Sequence, residues 1–160
     1  MLFRSYIDLS DIEGEPQEVA GRIKAAVHDA TGLTCSICVA PNKLLAKIGS
    51  ELDKPNGLTI LTPADIPTRI WPLPARKVNG IGPKAAEKLQ AIGIDTVGDL
   101  AEADLALLQA HFGRNYAGWL VEVAHGRDDR QVVVSSAPKS MSRETTFERD
   151  LHPRNDRPML

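Results

Sequence analysis

The sequence has few aromatic residues and few cysteines, and it has no long hydrophobic run. Its 160 residues include two tryptophans, two tyrosines and three phenylalanines, although 42% of the residues are hydrophobic. Any core must therefore be mainly aliphatic. No apolar stretch approaches the ~20 residues that a membrane-spanning helix needs, and the first residues do not resemble a signal peptide. The composition predicts a soluble, cytoplasmic protein with no membrane partner, large enough for one ordinary domain or two small ones.

The sequence also lacks an excess of positive charge. Its formal net charge is −2 and its isoelectric point is about 6.1, which excludes a protein that coats a polyanion through bulk charge. Basic residues are nevertheless concentrated in one place. Between positions 76 and 90, a single acidic residue accompanies four basic ones: Arg76, Lys77, Lys84 and Lys88. Any anion must therefore bind through local placement of charge.

The two cysteines, Cys35 and Cys38, have the spacing of a redox or metal-binding pair. They lie in a segment of alternating hydrophobicity, and alternation would place them on opposite faces of a strand. Opposite-facing thiols cannot readily share a metal ion or a disulfide. We therefore predict structural roles for both, in a reducing compartment.

The first part of the chain alternates strand and helix patterns. Period-2 alternation predicts strands at Ser5–Leu9, Leu33–Val39 and Leu58–Leu61. Apolar residues at helical spacing predict helices at Glu18–Ala30 and Lys43–Leu52. This β-α-β-α-β order is typical of an α/β layer.

Two prolines, Pro72 and Pro74, mark the end of this layer. After them the strand pattern disappears, and helices are predicted from Pro83, at Leu100–Ala110 and at Ala117–Ala124. From about residue 131 onward the chain is predicted to be an extended linker followed by one strand. The fold class is therefore α+β: a partial α/β layer, an all-helical unit and an extended C-terminal segment.

One motif predicts a chemical function by itself. Gly80-Ile81-Gly82-Pro83 reads as a tight hairpin that opens a helix, because proline suits the first helical turn. Glycines let backbone amides at a helix N-terminus approach a phosphate closely, and Lys84 adds a positive charge. The alternative interpretation is an ordinary turn between packed helices. The first interpretation predicts anion binding, and the spacing resembles a helix-hairpin-helix DNA-binding element.

Five strings, in the same order and spacing, resemble the DinB (DNA polymerase IV) branch of the Y-family translesion DNA polymerases. They are Tyr6-Ile7-Asp8-Leu9-Ser10, Ala40-Pro41-Asn42-Lys43-Leu44-Leu45-Ala46-Lys47, Lys54-Pro55-Asn56-Gly57, Asn79-Gly80-Ile81-Gly82 with Glu87-Lys88-Leu89, and Lys139-Ser140 followed by Glu144-Thr145-Thr146-Phe147. The resemblance implies a partial palm over residues 1–72 and a helical thumb with the helix-hairpin-helix over 73–130. Residues 131–160 would be the linker and first strand of a truncated little-finger domain.

The resemblance also implies roles for individual residues. Lys54 would contact the triphosphate of the incoming deoxynucleotide. The amides of Gly80, Ile81 and Gly82, together with Lys84, would hold backbone phosphates of duplex or primer-template DNA without reading sequence. Lys43 and Lys47 either face nucleic acid or belong to a solvated helix face, and the sequence leaves both interpretations open.

The catalytic centre of the family does not carry over to this chain. Family members hold Mg²⁺ with an aspartate of the first palm strand and an adjacent acidic pair. That strand would precede residue 1, and Phe3 and Arg4 occupy the positions of the acidic pair. Asp8 is retained, but its counterpart is not a principal metal ligand. We therefore expect no catalytic residue, no metal ligand and no cofactor in this chain alone. Cys38 stands where the family usually has glycine, and we expect it to crowd the palm interior.

These observations predict the DNA-binding portion of an error-prone polymerase in DNA repair and damage tolerance, inactive alone. A sliding clamp or a complementing amino-terminal fragment would be its further partners. Two alternatives stay open: a free-standing helix-hairpin-helix DNA-binding protein and a truncated gene product without function.

Overall fold

A computed structural model describes residues 4–134. Helices and strands alternate at first: α1 (Pro16–Thr31), β1 (Ile37–Val39), α2 (Lys43–Leu52) and β2 (Leu58–Ile60). Short 3₁₀ or π turns follow at Pro63–Asp65, Ile66–Ile70 and Ala75–Lys77. Four helices come last: α3 (Pro83–Ala91), α4 (Val97–Glu102), α5 (Leu105–Phe112) and α6 (Arg114–Ala124). The predicted α+β class is confirmed. The strand predicted within residues 131–160 falls outside the described residues.

The two strands form a small parallel sheet. Ile37 pairs with Leu58, Cys38 with Thr59 and Val39 with Ile60. Helix α2 connects the strands, and both α1 and α2 contact them. This is the crossover unit that parallel pairing requires, and it confirms the α/β character of the first part of the chain.

The prediction of a strand at Ser5–Leu9 is wrong. These residues have no regular secondary structure, and the Ile7 side chain is 60% exposed. Alternation describes a segment that suits a sheet, but a strand forms only where a neighbouring backbone completes its hydrogen bonds. Within the described residues, no backbone hydrogen bond joins this segment to β1 or β2. For the same reason the strand predicted at Leu33–Val39 is reduced to the three residues that pair with β2.

Helix α2 has the bounds that the sequence predicts. Its N-cap is Asn42, whose side chain accepts a hydrogen bond of 3.0 Å from the Leu45 amide. Leu44, Leu45 and Ile48 are buried, as their spacing along one helix face requires. The opposite edge of the helix carries Lys43 and Lys47, which are only partly exposed.

The single helix predicted at Leu100–Ala110 is two helices, α4 and α5. Helix α4 begins earlier, because the Asp99 carboxylate accepts from the Thr96 amide at 2.8 Å and the Thr96 hydroxyl accepts from the Asp99 amide at 3.1 Å. These hydrogen bonds to the carboxylate lower the pKa of Asp99. Asp104 then starts α5 by accepting from the Ala106 amide at 2.6 Å. Capping side chains, which compete with continuous helix, explain the break.

The hydrophobic core runs from the α/β layer into the helical part without interruption. Leu44 and Ile48 of α2 belong to the same buried cluster as Leu89 of α3 and Leu120 of α6. The indole N–H of Trp71 also donates to the Ala124 carbonyl at 3.1 Å, across the proposed boundary. The division at residue 72 stays a prediction. None of the helices in residues 4–134 has the length and apolar character to cross a bilayer.

Candidate nucleic-acid interface

The hairpin between the Ala75–Lys77 turn and α3 presents glycine outward and isoleucine inward. The Ile81 side chain is 5% exposed and belongs to the core, whereas Gly80 and Gly82 are exposed. The Ile81 amide donates to the Val78 carbonyl at 3.1 Å, which closes the turn. The buried isoleucine therefore anchors a corner whose two flanking glycines face solvent.

The two glycines are required for different reasons. Gly80 has φ 104°, and a Cβ there would lie 2.5 Å from the Cη2 atom of Trp119. Both the backbone conformation and the packing therefore require glycine. Gly82 has an ordinary φ of −76° and is the N-cap of α3. A Cβ at Gly82 would meet no atom within 4 Å, so the fold itself does not require glycine at this position.

The backbone amides of the hairpin and the start of α3 differ in whether they already donate to a protein acceptor. The sequence predicts phosphate contacts from Gly80, Ile81 and Gly82, but the structure uses the Ile81 amide inside the turn. Within the described residues, no protein acceptor meets the amides of Gly82 and Lys84. Free amides at a helix N-terminus carry partial positive charge. The Gly80 amide likewise has no protein acceptor among the described residues. The amides of Gly80, Gly82 and Lys84 can therefore donate to an anion.

The aromatic side chains of α6 and the end of α5 hold the hairpin in place. The Tyr116 hydroxyl donates to the Gly80 carbonyl at 2.8 Å. The Tyr116 ring lies 5.1 Å from Trp119 and 5.8 Å from Phe112, centroid to centroid. Burial raises the pKa of Tyr116, so the hydroxyl stays protonated as a donor. These contacts fix the position of the corner relative to the helices behind it.

The exposed basic residues around the corner are available to an anion. Arg76, Lys77, Lys84 and Lys88 are all exposed. In residues 4–134 none of these four side chains forms an ion pair. A local positive surface with unpaired backbone donors is suited to phosphate.

The sequence itself places this corner in a known family. Residues 4–51 match the impB/mucB/samB family, and residues 63–94 match the IMS family HHH motif. Two separate parts of the chain therefore match models of this family. The second match ends just beyond α3 and contains the whole glycine hairpin.

Several curated relatives support this assignment. The chain is 42% identical over 153 residues to a DNA polymerase IV of Gluconobacter oxydans, covering 94% of the chain and 43% of that protein. It is 44% identical over 148 residues to a DNA polymerase IV of Methanoculleus marisnigri, covering 91% of the chain and 41% of the relative. The resemblance to the DinB branch is therefore confirmed. The chain spans about two fifths of the length of these relatives.

Lys54 lies in the family's Lys-Pro-Asn-Gly loop, at the end of α2. Its ammonium is 2.7 Å from a carboxylate oxygen of Glu51 and is one-third exposed. Arg4 forms a second ion pair with the same carboxylate. The hydrogen bond from Lys54 is the main reason that the pKa of Glu51 is lowered. A phosphate at Lys54 must therefore compete with Glu51.

The sequence analysis missed Lys24, which fixes the conformation of this loop. Its ammonium donates to the Asn56 carbonyl at 2.8 Å, the Asn56 side-chain oxygen at 2.7 Å, and the Cys35 carbonyl at 2.6 Å. Asn56 itself has φ 58°, in the left-handed region. Lys24 follows Ala20, which is buried in the structure, by four residues and so shares the sheet-facing side of α1. The apolar spacing of the helix does not mark this position.

The residues at the family's metal-binding positions do not fit Mg²⁺. Phe3 lies outside the described residues, and Arg4 is a cation paired with Glu51. Asp8 is exposed, and one of its carboxylate oxygens accepts from the Ser10 hydroxyl at 2.7 Å, which lowers its pKa. In residues 4–134 no three acidic, histidine or cysteine side chains are placed to share an ion. Arg4 and Asp8 therefore do not form a Mg²⁺ site in the described residues.

Cys38, the departure from the family's usual glycine, packs against a glycine on α2. A Cβ at Gly49 would lie 2.3 Å from the Cys38 sulfur and 2.7 Å from Leu61 Cδ1. Burial raises the pKa of the Cys38 thiol to about 11, which keeps it neutral and unreactive at neutral pH. Both cysteines are free. The crowding expected at Cys38 is thus accommodated by the absence of a side chain at Gly49.

Proposed function

We propose that this chain is the DNA-binding portion of a DinB-type, error-prone translesion DNA polymerase, acting in the cytoplasm in DNA repair and damage tolerance. The observation that carries the proposal is the exposed glycine corner, where unpaired amides of Gly82 and Lys84 lie at the N-terminus of α3. Backbone donors and lysine contact phosphates, which are the same for every sequence. The chain therefore holds duplex or primer-template DNA without reading its bases.

Salt dependence tests this mode of binding. We expect affinity for a short duplex to fall with rising salt, along a straight line of negative log–log slope, because each neutralised phosphate releases counterions. Two duplexes of unrelated sequence should give the same affinity and slope. Fluorescence anisotropy of labelled duplexes between low and physiological salt measures both. Absence of salt-dependent binding would contradict the proposal and favour a truncated product without function.

Lys54 contributes to nucleotide binding in the complete polymerase, on this proposal. Its ammonium forms an ion pair with Glu51 at the start of the loop. A triphosphate would replace that carboxylate as the partner of the ammonium. A cation at this point offsets charge on the transferring phosphoryl group. The incoming deoxynucleotide is thus a partner of the complete protein, as a sliding clamp and a complementing amino-terminal fragment would be.

The chain alone should not extend a primer. Arg4 stands at one position of the family's acidic pair, and two-metal chemistry needs carboxylates there. We expect no incorporation above background from the pure chain with Mg²⁺, all four deoxynucleotides and a primed template. Nucleotide incorporation that co-purifies with the protein would overturn the proposal that the chain alone is inactive. Salt-dependent DNA binding without incorporation would agree with both the DNA-binding role and the lack of activity.

A further inference from the structure

The chain contains two Asn-Gly pairs, Asn56-Gly57 and Asn79-Gly80, and both asparagines are exposed. Asparagine is among the thermolabile residues of proteins. A glycine that follows it has no Cβ, so little obstructs the approach of the glycine backbone nitrogen to the asparagine side chain. In such a pair, this nitrogen can attack the side-chain carbonyl carbon. The two pairs thus offer the same reaction, and the structure distinguishes them.

The Asn56-Gly57 pair is held by hydrogen bonds on both reacting groups. The Gly57 amide donates to the Ser36 hydroxyl at 3.1 Å, and the Gly57 carbonyl accepts from the Ile37 amide at 3.1 Å. Lys24 donates to the carbonyl and side-chain oxygens of Asn56 at 2.8 and 2.7 Å. An ammonium on the side-chain oxygen assists attack on that carbonyl, but ring closure must move the Gly57 nitrogen away from Ser36. Reaction at Asn56 therefore requires local unfolding of the loop.

The Asn79-Gly80 pair has both reacting groups free. Among residues 4–134, the Asn79 side chain forms no hydrogen bond and the Gly80 amide meets no protein acceptor. The hydrogen bonds of this turn involve other atoms. The Tyr116 hydroxyl donates to the Gly80 carbonyl at 2.8 Å, and the Ile81 amide donates to the Val78 carbonyl at 3.1 Å. The Asn79 side chain can therefore rotate toward the Gly80 nitrogen without breaking a hydrogen bond of the turn.

The charges beside this turn also favour the reaction. Lys77 lies two residues before Asn79, and Lys84 lies four residues after Gly80. Both lysines are exposed, and neither forms an ion pair in the part of the chain that the structure describes. The attack creates a negative nitrogen and then an oxyanion on the side-chain carbon. Positive charge nearby stabilises both species, so the surface that suits phosphate also suits this reaction.

We propose that Asn79 is a site of spontaneous deamidation, which replaces an amide of the glycine corner with a carboxylate. The Gly80 nitrogen bonds to the side-chain carbonyl carbon of Asn79, and the bond from that carbon to the side-chain nitrogen breaks. The proton of the Gly80 amide leaves with this nitrogen as ammonia. Water then opens the resulting succinimide at either of its two carbonyl carbons. The products are aspartate and isoaspartate, and each carries one more negative charge than asparagine.

The new carboxylate lies on the surface that we propose for DNA. This consequence rests on the proposed function, whereas the reaction itself does not. A carboxylate at position 79 repels a phosphate at the amides of Gly80 and Gly82, and isoaspartate also lengthens the backbone of the turn. Conversely, a phosphate that accepts from the Gly80 amide favours the protonated nitrogen and slows its attack. Deamidation and DNA binding therefore oppose each other at this corner.

Peptide mapping tests the reaction, because trypsin places the two asparagines in separate peptides, residues 48–69 and 78–84. The pure chain is aged in warm, mildly alkaline buffer, both folded and in urea, and mass spectrometry measures the replacement of amide by acid. A sample digested without ageing gives the background. In the folded chain we expect Asn79 to convert at least about tenfold faster than Asn56, since only Asn56 must wait for local opening. In urea the two rates should be similar. Equal rates in the folded chain, or faster conversion at Asn56, would overturn the site.

Asn79→Asp tests the consequence for binding, with Gln17→Glu on α1 as a control that also changes an exposed amide to a carboxylate, away from the corner. For Asn79→Asp we expect the affinity for a short duplex at low salt to fall about fivefold, the effect of one like charge beside a phosphate. Gln17→Glu should keep wild-type affinity. Fluorescence anisotropy measures affinity, and circular dichroism checks folding.

Duplex should also slow the conversion of Asn79 in the folded wild-type chain, relative to the same ageing without DNA. Equal affinities of Asn79→Asp and Gln17→Glu, with salt-dependent wild-type binding, would overturn the effect on binding but not the reaction. Absence of wild-type binding would overturn the proposed function, while the rates at Asn79 and Asn56 would still decide the reaction.

Discussion

Replacing Gly82 with valine is expected to abolish detectable DNA binding without unfolding the protein. The φ of −76° at Gly82 is ordinary for valine, and its Cβ would meet nothing within 4 Å. The branched side chain would instead fill the space through which a phosphate approaches the Gly82 and Lys84 amides. Loss of two charge-assisted hydrogen bonds corresponds to at least about a hundredfold in affinity. Anisotropy with short duplex, at low salt, measures the loss.

Gly80→Ala is the matched control, because it tests the other glycine of the same corner. A methyl group there would enter Trp119 at 2.5 Å, and the φ of 104° strains any other residue. We expect a loss of stability of about 1–3 kcal/mol, measured by urea unfolding. Gly82→Val should lose less stability than Gly80→Ala in the same experiment, because its φ is unstrained and its Cβ meets no atom, although valine is a poorer N-cap than glycine. Undiminished affinity of a folded Gly82→Val protein would show that the corner does not hold DNA.

Gly49→Ala is expected to destabilise the fold, although alanine normally favours a helix over glycine by about 1 kcal/mol. The new methyl group would lie 2.3 Å from the Cys38 sulfur and 2.7 Å from Leu61. Leu61 has a flexible side chain that can shift, but Cys38 lies in β1 and is held by its pairing with Thr59. Overpacking of this kind costs about 1–3 kcal/mol. Urea unfolding measures whether the free energy of unfolding falls, as overpacking predicts, or rises, as helix propensity alone would predict.

Cys38→Ala should relieve that cost, because it removes the sulfur that meets the new methyl group. The pair therefore defines a double-mutant cycle. We expect Gly49→Ala/Cys38→Ala to lose about 0.5–3 kcal/mol less unfolding free energy than the sum of the losses of the two single variants. Cys38→Ala alone serves as the reference for the lost thiol. Additive effects would mean that Gly49 and Cys38 do not share the tight contact that the structure shows.

Local signals in the sequence were sufficient for α2 and for the hairpin. Asn42 caps the helix with its own side chain, and the apolar stripe of α2 needs only the helical period. The Gly-Ile-Gly-Pro string likewise contains the conformational requirements of its turn. The residues predicted at Lys54, Gly80, Gly82 and Lys84 stay predictions of function. The exposure and free amides of Gly82 and Lys84 support them in the structure.

The strands and the helix break were harder to predict. Alternation at Ser5–Leu9 shows that a segment could pair, but it does not supply the backbone with which to pair. The break between α4 and α5 depends on Thr96, Asp99 and Asp104. These polar residues carry a capping signal that the continuous hydrophobic pattern obscured.

The sequence by itself determined the resemblance to the family, the α+β class and the position of the glycine corner, because these depend on short strings whose residues interact with their own neighbours. Only the tertiary structure decided which amides of the corner are free, that Glu51 holds Lys54, and that Lys24 holds the loop beside it. Such contacts join residues far apart in the chain, and their distances follow from how the shared hydrophobic core packs the α/β layer against the helices.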